Sequence, residues 1–228
     1  MELFYKEFGQ GQPLVLLHGL YGSSDNLQGI GKYFSRKYHV FLPDLRNHGQ
    51  SPHEPGHDYN LMAEDIYEFV LDHGLENIIL LGHSMGGKAA MAFERKYASY
   101  LQKLIVVDIS PRSYIGDEAH INTASLHQSI IQALEEANVE KADSRLDVQN
   151  FLVQRIKDER VAQFLIKNLK RNDKGHYFWV LNLPSLAINI KNIFDGIDYG
   201  EQNLPFLPHL HYLSGAAILL ILTKQTKP

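Results

Sequence analysis

The sequence predicts an α/β fold: a mostly parallel central sheet covered by helices on both faces, with a helical unit inserted after a core strand. Three observations predict it. Short continuous apolar runs alternate with helical patterns as far as Asp108. One of those runs enters a Gly-x-Ser-x-Gly turn that opens directly onto a helix. Beyond Asp108 the alternation stops and amphipathic helical patterns take over. Strands apolar along their whole length are buried on both faces, which is the condition of a parallel sheet between helical layers.

Taken in order, an amphipathic strand over Leu3–Phe8 precedes apolar runs at Leu14–Leu17, Val40–Leu42, Ile78–Leu81 and Leu104–Val107. Helical patterns fall between them near Asn26–Phe34, Leu61–His73 and Met85–Tyr97, with a start at Ser24-Asp25 and a stop at Gly74. Residues from about Arg112 to Ile193 contain no convincing strand. They read as helices near Ala119–Ala137, Leu146–Ile156, Val161–Leu169 and Leu183–Ile193. The expected organisation is a core over residues 1–111, a helical cap or lid over 112–193, and a core remnant with an atypical apolar tail over 194–228.

The most informative segment is Gly82-His83-Ser84-Met85-Gly86-Gly87, between Ile78-Ile79-Leu80-Leu81 and Lys88-Ala89-Ala90. A strand, a Gly-x-Ser-x-Gly turn and a helix in that order hold a serine in a strained conformation with its hydroxyl above the sheet. Gly82 and Gly86 stand where a Cβ would collide as strand and helix converge. A serine hydroxyl needs a base to take its proton and fixed donors for the oxyanion that forms. The expected donors are a backbone amide of the loop His18-Gly19-Leu20, after the strand Leu14–Leu17, and the amide of Met85 at the helix start.

An acid is expected at Asp108, which ends the strand after the serine's strand and so reaches the same carboxyl edge. Asp195 and Asp198 are weaker candidates, and a helix cap or loop solvator is the plain alternative for Asp108. The base is harder to place. His18 and His83 belong to the motif loops, where their side chains organise backbone. His120, His127 and His176 fall in the helical region, and His39, His53, His57 and His73 sit in surface-like settings ahead of the turn. Only His209 and His211 come late enough for the order Ser, Asp, His, in a Pro- and Leu-rich tail with no clear strand or helix.

Bulk properties bound the function. The 228 residues suffice for one sizeable core, or for one core with an inserted lid, and 44% hydrophobic with 21% charged residues is ordinary for a soluble globular protein. A formal charge of −4 gives no reason to expect nucleic acid or an anionic membrane as partner. With no cysteine, disulfides, thiol nucleophiles and thiolate metal sites are excluded. The start Met1-Glu2-Leu3-Phe4-Tyr5-Lys6-Glu7 lacks a secretory pattern, so a cytoplasmic location is expected. The apolar stretch Tyr212–Leu222 is too short to span a bilayer.

Three segments together resemble the α/β-hydrolase superfamily, and within it the YbfF-like esterases and the abhydrolase-domain-11 proteins. They are His18-Gly19-Leu20-Tyr21-Gly22-Ser23, Asp44-Leu45-Arg46-Asn47-His48-Gly49-Gln50-Ser51-Pro52 and Gly82-His83-Ser84-Met85-Gly86-Gly87-Lys88. Asp108-Ile109-Ser110-Pro111 and Phe178-Trp179-Val180-Leu181-Asn182-Leu183-Pro184 are similar to the same group. The resemblance implies Ser84 as nucleophile, Asp108 as acid, and Leu20 and Met85 as oxyanion donors. It implies hydrolysis of carboxylic esters or acyl thioesters, acyl-CoA included, with no cofactor and no metal.

From Leu204 the chain departs from the pattern, which implies a further strand, helix and strand, a Gly-His loop carrying the base, and a final helix. The last strands and helix are therefore expected to be missing or altered. The strand ending in Asp108 would expose its edge unless the tail pairs with it. The expected function is a serine hydrolase acting on a small-molecule acyl ester or thioester, with oligomeric state open. The alternatives are a catalytically impaired or silent protein of the same fold, and a C–C bond hydrolase. Phe178 and Trp179 are expected to pack within the helical region rather than to line an acyl pocket.

Overall fold

Side chains alternate across a strand, so each apolar run supplies two opposite faces and needs a helical layer on both. The computed structural model describes residues 1–116, 121–198, 208–213 and 217–223, with side chains for 1–116 and 125–198. Strands β1 (Tyr5–Phe8), β2 (Gln12–Leu17), β3 (Tyr38–Pro43), β4 (Ile78–His83) and β5 (Leu101–Val107) form the body of one sheet. Helices α1 (Ser24–Phe34), α2 (Tyr59–Asp72) and α3 (Met85–Tyr97) connect them. Val15, Leu17, Phe41, Leu80 and Val106 pack under α2 and α3 with Met62, Ile66, Phe69, Ala89 and Phe93. The intervening residues Leu14, Leu16, Val40, Leu42 and Ile79 face the other way, toward Leu27 and Phe34 of α1. Burying each large aliphatic side chain of this kind contributes about 1.5–3 kcal/mol.

The strand order is β1-β3-β2-β4-β5-β9-β8, where β8 is Pro208–Leu213 and β9 is Ala217–Thr223. β2 pairs in parallel with β3 on one side and β4 on the other, and β4 pairs in parallel with β5. The chain leaves β2 for one edge and returns past it to the other. A crevice therefore opens at the carboxyl ends of β2 and β4, where open α/β sheets keep their ligands. The loop starting at His18 and the turn at Ser84 both emerge into that crevice.

The tail is a correction to the sequence reading. It forms two strands, β8 (Pro208–Leu213) and β9 (Ala217–Thr223), as an antiparallel hairpin. β9 pairs antiparallel with β5, Val107 opposite Leu219 and Lys103 opposite Thr223, so the edge of the Asp108 strand is covered.

Between β5 and β8 the chain forms α4 (Ile121–Glu136), α5 (Arg145–Ile156), α6 (Glu159–Leu165) and α7 (Leu183–Phe194). A second correction lies here, because β6 (Leu169–Arg171) and β7 (Tyr177–Trp179) pair as a short antiparallel hairpin. The helices have a core of their own, including Ile131, Leu134, Leu152, Leu165, Leu186 and Phe194. Tyr21, from the loop after β2, is buried in that core. Asp58 caps α2, its carboxylate accepting from the Leu61 amide at 2.9 Å, and Asp158 caps α6 in the same way from Val161 at 3.0 Å.

Candidate active site

Ser84 has φ 52° and ψ −121°, outside the conformations that non-glycine residues ordinarily adopt. Holding a residue there costs about 1–3 kcal/mol, so the surroundings must impose it. They do so from three sides. The Ser84 amide donates to the Val107 carbonyl at 3.0 Å, and its carbonyl accepts from Gly87 at 2.8 Å and Lys88 at 3.2 Å. A Cβ on Gly82 would lie 2.1 Å from the Gly86 carbonyl oxygen, and one on Gly86 would lie 2.5 Å from that of His18. Only hydrogen at both positions lets β2, β4 and α3 converge so closely. Ser84 is half-buried, and Met85, the first residue of α3, is buried in the main core.

The loop after β2 lies against this turn. A Cβ on Gly19 would lie 3.3 Å from the Ser84 Cβ and 3.2 Å from His83 Nδ1. Leu20 follows, half-buried between the main core and the helical core. Two buried histidines hold this loop. His18 Nε2 accepts from the Leu45 amide at 2.9 Å, so its protonated Nδ1 donates to the Gly19 carbonyl at 2.9 Å. His48 Nε2 accepts from the Tyr21 amide at 3.2 Å, and its Nδ1 donates to the Arg46 carbonyl at 2.9 Å. Burial drives both pKa values down, His48 well below its ordinary value, which keeps the accepting nitrogens unprotonated.

Asp108 follows β5 directly, one residue past the His83–Val107 pair as Ser84 is, and also has a positive φ, 59°. Its carboxylate is 57% exposed and lies 3.8 Å from His83 Nε2, a through-space contact too long for a hydrogen bond. Asp195 Oδ1 accepts from its neighbour Gly196 at 2.7 Å, and Asp198 borders a cleft of about 480 Å³ with Asp58, Arg95 and Asn192.

The remaining histidines separate by setting. His57 is a correction: it is fully buried, with Nδ1 3.3 Å from Asn47 Nδ2 and its pKa pushed down to about 3 by burial and then by the Arg46 charge. His39 faces Glu7 at 3.4 Å, His73 donates to the Phe69 carbonyl at 2.8 Å, and His53 and His176 are exposed. His127, half-buried on α4, has its ring 5.7 Å from Tyr21 and 5.6 Å from Phe194. His120 lies outside the described residues. His209 and His211 fall on β8, where His211 shares a cross-strand row with Leu219 and Val107. Two strand spacings put its backbone roughly 10 Å across the sheet from that row's end.

Two further groups were not legible as site residues. Lys88 is fully buried, donates to the Arg112 carbonyl at 2.9 Å and to the Asp195 carbonyl, and lies 4.3 Å from the Tyr114 ring centre. It thus joins the helix behind Ser84 to the backbone on either side of α4–α7. The signal was a cation set among the small and apolar residues Met85–Phe93 in the first part of α3. Asn47, buried with φ 66°, accepts from Asn182 Nδ2 at 2.8 Å and donates to Ser185 Oγ at 3.2 Å, fastening α7 to the loop after β3. Phe178 departs from the expected packing role. It is 40% exposed and lines a cleft of about 310 Å³ with Ser24, Asp44 and Lys167, whereas Trp179 Nε1 donates to the Leu134 carbonyl at 3.0 Å.

No helix among the described residues is long and apolar enough to cross a membrane. Comparison with known proteins agrees with the fold. The structure superposes on a marine microorganism esterase with a TM-score of 0.84 at 40% identity, covering 89% of this chain and 77% of that one. The sn-1-specific diacylglycerol lipase ABHD11 of Danio rerio is 34% identical over 187 residues, 81% of this chain and 58% of the relative. Esterase YbfF of Escherichia coli is 32% identical over 174 residues, 76% of this chain and 63% of the relative. The chain thus spans about three fifths of the length of these curated relatives. Residues 12–146 match the family described as the alpha/beta hydrolase fold, and the chain belongs to that family.

Proposed function

We propose that this chain carries the nucleophile-bearing part of a serine hydrolase acting on carboxylic esters. Ser84 is the nucleophile, Asp108 the acid, and the amides of Leu20 and Met85 the oxyanion donors. The observation that carries this reading is the strained backbone of Ser84, held by Val107 on one side and approached by Gly19 on the other. Strain of this kind persists only where neighbouring structure imposes it, and at this turn it presents a hydroxyl above the sheet. The names of the relatives, an esterase and a diacylglycerol lipase, support an ester as substrate. We extend the reading to acyl thioesters, to an acyl-enzyme on Ser84 released by water, to residues 112–193 as a lid, and to a cytoplasmic setting.

A fluorophosphonate probe tests it. The expected outcome is covalent labelling of the protein and none of Ser84→Ala. Equal labelling of both would overturn the assignment.

A second reading has one observation in its favour. Among the residues whose side chains are described, His83 Nε2 lies 3.8 Å from the Asp108 carboxylate, which is more than half exposed. The protein would then be an impaired hydrolase, retaining the nucleophile and oxyanion donors but lacking an oriented base. Losing a triad member leaves residual catalysis about 10³–10⁴-fold above water. Hydrolysis of a p-nitrophenyl ester within that range, abolished in Ser84→Ala, would favour this reading, and a rate far above it would exclude it.

A further inference from the structure

Tyr21 follows the expected oxyanion donor Leu20, and its attachments divide between the two halves of the molecule. Its amide donates to His48 Nε2, on the sheet side, at 3.2 Å. Its carbonyl accepts from Asn168 Nδ2, in the helical segment, at 2.9 Å. Its hydroxyl donates to the His127 carbonyl of α4 at 3.4 Å, and its ring is buried in the helical core. Its backbone has φ 61°, a conformation that a bulky residue keeps only when fixed from outside. The Tyr21 carbonyl and the Gly22 amide are one peptide group, and that amide donates at 2.9 Å to Gly19 O, the carbonyl of the peptide that carries the Leu20 amide, which His18 Nδ1 also holds from the sheet half at 2.9 Å.

Asn168 suits this task. It is 3% exposed, and its two amide hydrogens are both used, on the Tyr21 carbonyl and on the Leu165 carbonyl at 3.2 Å. Its own carbonyl accepts from the Val180 amide at 3.0 Å. The side chain is therefore fixed by α6 and the residues after it and is aimed at a single peptide of the loop. The preceding peptide is held through the Tyr21 amide by His48, which follows Asn47, the acceptor from Asn182 at the start of α7. Both routes from the helical segment thus converge on Tyr21, one directly and one through consecutive residues of the loop after β3.

We propose that Tyr21 is the joint through which docking of the helical segment sets the Leu20 amide toward Ser84, with Asn168 as the positioning residue. This deepens the hydrolase reading and rests on it: seating of the segment completes the oxyanion hole as well as covering the site. A misplacement of about 1 Å in such a donor costs on the order of a hundredfold in rate. An Asn168 substitution therefore lowers the rate of the chemical step and leaves ground-state binding of the substrate nearly unchanged.

The experiment is Asn168→Asp, which keeps the shape and removes the donor. Amide exchange by NMR is followed at Leu20 and Tyr21 with α2 as internal reference, together with the second-order rate of fluorophosphonate labelling. The expected result is Tyr21 exchange at least about tenfold faster, reference amides unchanged, and labelling slowed about tenfold or more. Unchanged exchange at Tyr21 in a folded variant overturns the proposal, as does faster exchange with labelling at the wild-type rate. Should Asn168→Asp lose cooperative unfolding, Asn168→Ser leaves no carboxylate behind and carries the same expectations. If the wild-type chain is itself unlabelled, the hydrolase reading falls, and the exchange data alone decide whether Tyr21 is the joint.

Discussion

Lys88 Nζ lies 2.9 Å from the carbonyl oxygen of Arg112, with the Asp195 carbonyl as a second acceptor of the same ammonium. Tyr114 and Phe194 add a backbone bond at 2.7 Å, and Ile197 and Pro111 another at 2.8 Å, so the chain entering and the chain leaving α4–α7 are tied together there. The ammonium holds this neck at some expense, because burial lowers the Lys88 pKa to about 8 and the Asp195 charge opposes that only in part.

The sign of its pH dependence follows from that value. Between pH 8 and 10.5 the unfolded chain holds the Lys88 proton and the folded chain does not. Stability from this residue therefore rises with pH across that window and is lost as pH falls through about 8. Urea midpoints measured across the window should climb relative to those of Lys88→Met. Parallel curves for the two proteins would contradict the assignment. At pH 7 the variant should lose about 1–3 kcal/mol through carbonyls left without a donor.

Acid should act through the buried histidines. His18, His48 and His57 all have lowered folded-state pKa values, so below pH 6.5 the unfolded chain binds more protons than the folded one. Stability falls as pH drops from 6.5 toward about 3, the folded value for His57. Replacing His57 with Leu should remove about one proton from the linkage slope in this range, as read by the pH dependence of the urea midpoint. An unchanged slope would mean that His57 is already solvated in the folded protein.

Two glycine-to-alanine substitutions should move stability in opposite directions. Gly82→Ala would set a Cβ 2.1 Å from a backbone oxygen of Gly86, with no flexible side chain to yield. A loss of about 3 kcal/mol or more is expected, or failure to accumulate as folded protein. Gly29, inside α1, has nothing within 4 Å of the corresponding position. Gly29→Ala should raise stability by up to about 1 kcal/mol. Thermal melts of the pair check both signs.

The pH profile of ester hydrolysis separates a working base from its absence. An oriented imidazole gives a rate that rises through the histidine range and then levels. Without one, attack depends on hydroxide, and the rate rises about tenfold per pH unit with no plateau near neutrality. Comparing profiles of His83→Ala and His211→Ala identifies the residue responsible where a plateau exists. A plateau that survives both substitutions would assign the base elsewhere.

The long apolar runs and the Gly-x-Ser-x-Gly turn were legible because burial on both faces and close backbone approach leave few residue choices. Met85–Tyr97 is the same helix in sequence and structure. The hairpin β6–β7 was not legible, since three-residue strands carrying Lys170, Arg171 and Tyr177 show no alternation. His57 stands between Gly56 and Asp58 in a Pro-rich stretch that looks solvent-facing, and tertiary packing of Arg46 and Asn47 buries it. The tail showed no strand because Pro205, Pro208 and two histidines interrupt its apolar pattern; pairing with β5 supplied what local pattern did not. Within His18-Gly19-Leu20-Tyr21-Gly22-Ser23 nothing local marks Tyr21 out, since its partners are distant in sequence, Asn168 lying 147 residues away.

The direction of β9 has a practical consequence for anyone handling this molecule. Because it runs opposite to β5, Thr223 lies beside Lys103, four strand positions from Val107, or roughly 13 Å from the serine's end of the sheet. A fluorophore or surface tether coupled at Thr223 starts from the end of the sheet remote from Ser84, so immobilised protein keeps the Ser84 end turned to the solution.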